Sequence, residues 1–86
     1  AYDHEALLVS KAGVRFKAYG LETRHLRIFK VAAERETGML QQILGARLLR
    51  GGEARTAAQD DLNELVRLGE TIKRSILRRG IGEPID

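Results

Sequence analysis

The sequence predicts a mostly α-helical protein with one short β-strand, two short helices and a long C-terminal helix. Three observations predict it. Apolar and cationic residues alternate through Val14-Arg15-Phe16-Lys17-Ala18-Tyr19. Helical spacing of apolar residues follows on both sides of Thr37-Gly38. After Gly51-Gly52, a seam of Ala58, Leu62, Leu65, Gly69, Ile72 and Ile76 recurs at alternating intervals of four and three.

The strand reading rests on period two. Side chains of a strand point to opposite faces in turn. Val14, Phe16 and Ala18 then face a core, while Arg15, Lys17 and Tyr19 face outward. Gly13 and Gly20 bound the segment. A helical reading of residues 4–19 stays open, because six residues are few.

The next element is a helix over about 22–36, with Leu26, Phe29 and Ala33 on one stripe. Thr37-Gly38 interrupts it, since Gly costs about 1 kcal/mol relative to Ala inside a helix. A second helix follows over about 39–50, with Leu40, Ile43, Leu44 and Leu48 on its apolar stripe. Gly51-Gly52 is the clearest break in the chain.

Beyond it, Thr56-Ala57-Ala58-Gln59 reads as a capping box that opens a helix over about 56–79. Acids early (Asp60, Asp61, Glu64) and bases late (Lys73, Arg74, Arg78, Arg79) suit the helix dipole. Gly80 reads as its stop, before a loose tail that holds Pro84. A helix of about 24 residues spans roughly 36 Å, so its apolar seam needs a partner surface. Gly69 on that seam points to a close backbone approach. The organisation is therefore an N-terminal arm at 1–13, a domain at 14–50 and a helical extension at 51–86 for oligomerisation or partner binding.

Composition narrows the function. The chain has 86 residues, a length that fits one domain. It has no cysteine, which excludes disulfides, thiolate zinc sites and thiol catalysis. No apolar run reaches the roughly 18 residues of a membrane span. The opening residues carry Asp3 and Glu5 where a signal peptide carries bases, so a cytoplasmic protein is expected. The first residue is Ala, which leaves the true N-terminus open. Residues 11–50 hold nine bases against three acids, whereas residues 51–86 hold six bases and seven acids. A basic domain with a near-neutral extension suits a nucleic-acid binder with a partner-binding tail, although solvated surface charge gives the same counts.

A single strand leaves its backbone groups unpaired. Pairing with the same strand of a second copy solves this, because two-fold symmetry makes an antiparallel ribbon self-complementary. Its outer face then carries two copies each of Arg15, Lys17 and Tyr19. Such a ribbon fits the DNA major groove, where Arg donates two hydrogen bonds to guanine.

Three stretches together, Val14-Arg15-Phe16-Lys17-Ala18-Tyr19-Gly20-Leu21, Leu26-Arg27-Ile28-Phe29-Lys30-Val31-Ala32-Ala33-Glu34-Arg35 and Leu40-Gln41-Gln42-Ile43-Leu44, resemble the ribbon-helix-helix (Arc/MetJ-type) DNA-binding family. The resemblance covers about 14–50. It implies an intertwined homodimer with base contact through Arg15, Lys17 and Tyr19. It implies phosphate contact by the backbone at Thr37, Gly38 and Met39, at the N-terminus of the second helix. The dimer core is expected from Val14, Phe16, Ala18, Phe29, Leu40, Ile43 and Leu44. The order Thr37-Gly38 reverses the family's usual glycine-then-hydroxyl order.

No residue set reads as catalytic, and no cofactor or metal is expected. Asp3-His4-Glu5 are adjacent ligand types that do not converge easily on one ion. His25 reads as a partly buried helix residue. Ser10 and Ser75 lack an activating neighbour, and Asp60-Asp61 do not face one another on a helix. Gly51-Gly52 lacks the Lys-Ser/Thr ending of a phosphate loop.

The expected function is sequence-specific binding of double-stranded DNA by a homodimer or a higher oligomer. It fits a transcriptional repressor or autoregulator of antitoxin or plasmid type, not an enzyme. Residues 56–79 are left for a protein partner. One alternative is a conjugation relaxosome accessory protein. Another is an all-α interaction module that makes no DNA contact.

Overall fold

The computed structural model describes residues 3–86, and among them every regular element is a helix. The order is α1 (His4–Ala18), α2 (Thr23–Arg50) and α3 (Gly52–Ile81). The chain forms two compact units, Ala1–Gly38 and Met39–Asp86, and α2 contributes to both.

Local signals set α1. Asp3 is its N-cap, with Oδ1 accepting from the Ala6 N–H at 2.7 Å, which satisfies one of the unpaired first-turn donors. Arg15 and Lys17 lie in the last turn, where the dipole favours cations. The helix ends in a Schellman motif. Leu21 N–H donates to Phe16 O at 3.1 Å and Gly20 N–H to Lys17 O at 3.0 Å. Gly20 takes φ 87° there, a conformation that costs a residue with a Cβ.

The strand predicted over 14–19 is therefore overturned, and with it the intertwined ribbon-helix-helix dimer. Residues 14–18 are the last turns of α1, and Tyr19 is its C-cap. Residues 4–13, read as an arm, belong to the same helix. The physical reason is that Asp3 and Gly20 supply a start and a stop around 15 helical residues, while the alternation spans only six. On a helix, residues two apart are rotated by about 200°. Phe16 is thus turned inward while Val14 stays 69% exposed and Ala18 is exposed.

Helix α2 starts after a turn in which His25 Nδ1 accepts from the Glu22 N–H at 2.8 Å. This is half of a capping box, with an imidazole in the place of the usual Glu. The helix then runs through Thr37-Gly38 without a break. Thr37 Oγ1 donates to Ala33 O, one turn back, at 2.8 Å, which satisfies the hydroxyl without leaving the helix. Gly38 is not among the positive-φ glycines. The two helices expected at 22–36 and 39–50 are one. A cost of about 1 kcal/mol at one Gly is outweighed when strong helix formers flank it on both sides.

In the first unit, α1 packs on the start of α2. The rings of Phe16 and Phe29 stack with centroids 5.5 Å apart. A Cβ placed on Gly13 would sit 3.5 Å from Leu26 Cδ1, so the two helices are close at that level.

In the second unit, two positive-φ glycines, Gly51 at 76° and Gly52 at 59°, turn the chain from α2 into α3. Arg55 Nη1 donates to the Leu48 carbonyl at 3.0 Å, one of the last-turn acceptors of α2. Arg47 and Asp61 meet at 2.9 Å across the hairpin. Leu44 on α2 and Ala58 on α3 are buried. Helix α3 begins four residues before the predicted capping box. Thr56 Oγ1 donates back to Gly52 O at 3.2 Å instead of accepting as a cap. The helix also passes through Gly80 and stops at Gly82, which adopts the left-handed conformation.

Candidate functional site

The apolar seam of α3 is covered along half its length only. Ala58 is buried, and Leu62, Leu65 and Gly69 are half-buried. The same stripe continues through Ile72 at 61% and Ile76 at 65% exposure, while Leu77 and Ile81, at 44% and 61%, are rotated by about 100° and 140° from Ile76. The cause is length. Helix α3 has 30 residues, about 45 Å, while the part of α2 in this unit, 39–50, spans about 18 Å. The distal third of α3 is thus an aliphatic ridge with nothing of its own unit over it.

Charge runs along the same helix. Asp60, Asp61, Glu64 and Glu70 precede the ridge, and Lys73, Arg74, Arg78 and Arg79 flank it. Three of these are tied locally, Glu64 to Arg67 at 3.3 Å and Glu70 and Lys73 to each other at 3.8 Å. Arg78 Nε donates to Ile85 O at 2.7 Å and holds the tail against the last turns.

The residues predicted to read DNA bases do not come together. Arg15 and Lys17 are exposed on α1, separated by about 200° of helical rotation. Tyr19 is exposed at the C-cap. Arg15 borders a shallow hollow with Ser10, Lys11 and Val14. Lys17 borders a different trough between α1 and α2. The phosphate clamp expected at Thr37, Gly38 and Met39 is absent, because these residues lie in mid-helix and not at an N-terminus. Their N–H groups are spent in the helical ladder.

The residues predicted as a shared dimer core are also dispersed. Leu44 is buried, and Phe16 and Leu40 are half-buried. Phe29 is exposed on one side although it stacks on Phe16, and Ile43 is exposed. The fold of one chain accounts for Phe16, Phe29 and Leu44 without a second copy.

The sequence reading missed a trough in the first unit. Val9 on α1 and Leu26 on α2 line its floor, and Arg24, Arg27 and Lys30 stand along its edge. The excess of bases in residues 11–50 is its signal in the sequence, but the ribbon reading uses only Arg15 and Lys17 of them. Among the described residues, no three His, Asp or Glu side chains gather as a set of metal-ligand type, and no helix is long and apolar enough to cross a membrane.

Comparison with known proteins identifies relatives. The chain is 32% identical over 82 residues to the uncharacterized HTH-type transcriptional regulator Rv1828 of Mycobacterium tuberculosis. It is equally similar to the uncharacterized HTH-type transcriptional regulator Mb1859 of Mycobacterium bovis. Each match covers 93% of this chain and 33% of the relative, so the chain spans about a third of the length of these proteins. No solved structure matches it. The family described as Rv1828-like, C-terminal domain, matches residues 1–84. This chain belongs to the Rv1828-like C-terminal domain family.

Proposed function

We propose that the chain is the C-terminal helical module of an HTH-type transcription regulator, and that it joins two copies through the distal part of α3. DNA contact is then made elsewhere in the regulator, and this module sets the spacing of the two DNA-binding parts. No catalytic step is assigned to it. The relatives' description as HTH-type regulators, and the third of their length that the match covers, support the regulatory part of this reading.

The observation that carries the pairing is the uncovered ridge of Ile72 and Ile76 on the α3 seam. These two exposed aliphatic side chains, one turn apart on the seam, gain about 1 kcal/mol or more each when covered. The occupant that fits is the same segment of a second copy, set antiparallel. A two-fold axis near residue 75 brings Glu70 of one helix towards Arg79 of the other. A parallel pair would instead align Lys73, Arg74, Arg78 and Arg79 with their own copies, and like charges repel.

Sedimentation equilibrium of the chain tests this. The expected result is a dimer that Ile72→Asp with Ile76→Asp converts to a monomer, with helical circular dichroism kept. Both positions are more than half exposed, so the folded chain accommodates the change. A parent chain that stays monomeric at 100-fold above the concentration of the assay overturns the pairing.

A further inference from the structure

From the trough between α1 and α2 we infer a second docking site, one that takes an acidic amphipathic helix of another protein. This goes beyond the pairing through α3, which lies in the other unit and uses none of these residues. Two adjoining hollows of about 420 and 290 Å³ share Val9, Thr23 and Leu26, and so form one continuous trough. Its floor is aliphatic: Val9, Gly13 and Leu26, with Val14 and Leu21 at one end. Gly13 keeps the floor low, since it adds no side chain between the helices. Val9 is 70% exposed, which leaves its methyl groups facing water.

The rim is cationic. Lys17 stands on the α1 side, and Arg24, Arg27 and Lys30 stand on the α2 side. Glu22 is the one acid at the trough, and its carboxylate is tied to Arg24 at 3.2 Å. Among the described residues, Lys17, Arg27 and Lys30 enter no ion pair with the chain's own acids. An apolar floor between unpaired cations selects a ligand that is apolar along its centre and anionic along its flanks.

Shape selects among such ligands. The trough is open along its length, whereas small-molecule sites bury most of their ligand. Residues 23–30 of α2 cover about 11 Å, which is the reach of aliphatic anchors at i, i+4 and i+7 of a docked helix. The floor holds no aromatic ring for stacking a base, as single-stranded nucleic acid requires. The acids that would meet Lys17, Arg27 and Lys30 lie one position to either side of those anchors.

The test is fluorescence anisotropy of the full chain with a labelled synthetic 16-residue helix that carries Leu at i, i+4, i+7 and i+11 and Glu on both flanks. The expected result is saturable binding, at least tenfold tighter than to a scrambled peptide of the same composition. Arg27→Glu with Lys30→Glu weakens it at least tenfold, and Lys-for-Glu replacement in the peptide restores binding to that variant. Val9→Asp weakens it through the floor, and its exposed position leaves the fold intact by circular dichroism. Equal affinity for the scrambled peptide, or parent-like binding by both variants, overturns the proposal. Tighter binding to phosphatidylglycerol vesicles than to the peptide assigns the face to a lipid surface and also overturns it. A loss of self-association in Arg27→Glu with Lys30→Glu, seen by sedimentation, gives the trough to a second copy and overturns it as well. Ile72→Asp with Ile76→Asp leaves peptide binding unchanged, so failure at the trough and failure of α3 pairing are read separately.

Discussion

The ring of Phe16 lies on the ring of Phe29, with centroids 5.5 Å apart and planes inclined by 17°. This stack joins α1 to α2 in a unit that has no fully buried residue among those described. Helix α1 has no buried residue, so the pair carries much of its attachment. Phe16→Ala is expected to cost about 1–2 kcal/mol, below the range for a fully buried Phe because Phe29 is half in solvent. Hydrogen exchange checks this. The amides of residues 8–18 lose protection first, while those of α3 keep theirs.

Gly38 gives a prediction of opposite sign. A Cβ added there meets nothing within 4 Å, and its φ is not positive. Gly38→Ala is expected to stabilise the chain by about 0.5–1 kcal/mol, since Ala loses less backbone freedom in a helix. A shift of the urea midpoint to higher concentration checks it. A turn or a phosphate clamp at this position would give a loss instead.

His25 acts as a cap on α2 through its bond from the Glu22 N–H. His25→Ala is expected to cost about 0.5–1 kcal/mol by removing the acceptor. His25→Glu is expected to stay near the parent, because a carboxylate three residues into the helix makes the same bond in a capping box. Thermal unfolding of the two variants side by side separates a cap from simple loss of side-chain packing.

Which elements were legible follows from how local their causes are. The seam from Ala58 to Ile76 shows a helix in the sequence, because a four-three spacing over 19 residues fits no other period. Its ends were misplaced. Thr56 resembles a cap in sequence but bonds back to Gly52, and Gly80 resembles a stop while the left-handed turn occurs at Gly82. Six alternating residues favour a strand over the helical alternative at 4–19, which is the one that forms, although Asp3 and Gly20 carry its start and stop signals. Thr37-Gly38 looked like a boundary because propensity is read residue by residue, whereas a 28-residue helix averages over one weak position. The candidate surfaces were less legible still. The trough depends on Val9 and Leu26 from two helices meeting at Gly13, and no linear pattern joins them.

The unpartnered ridge was foreseeable in one respect. A seam longer than the helix before it needs a cover from outside, and the sequence shows both lengths. It does not show where the cover stops. That limit, just past Gly69, comes from the folded hairpin.

The pairing of two α3 helices head to tail is the claim on which the functional reading depends. The chain contains no cysteine, so a spin label attaches at a single chosen site. Pulsed electron paramagnetic resonance on Glu64→Cys and, separately, on Ser75→Cys measures the separation between copies. The account predicts a distance of roughly 35 Å from position 64 and a much shorter one from position 75, because 11 residues of helix lie between each label and the two-fold axis. Short distances at both positions, as in a parallel pair, or no dipolar coupling at either, would contradict it.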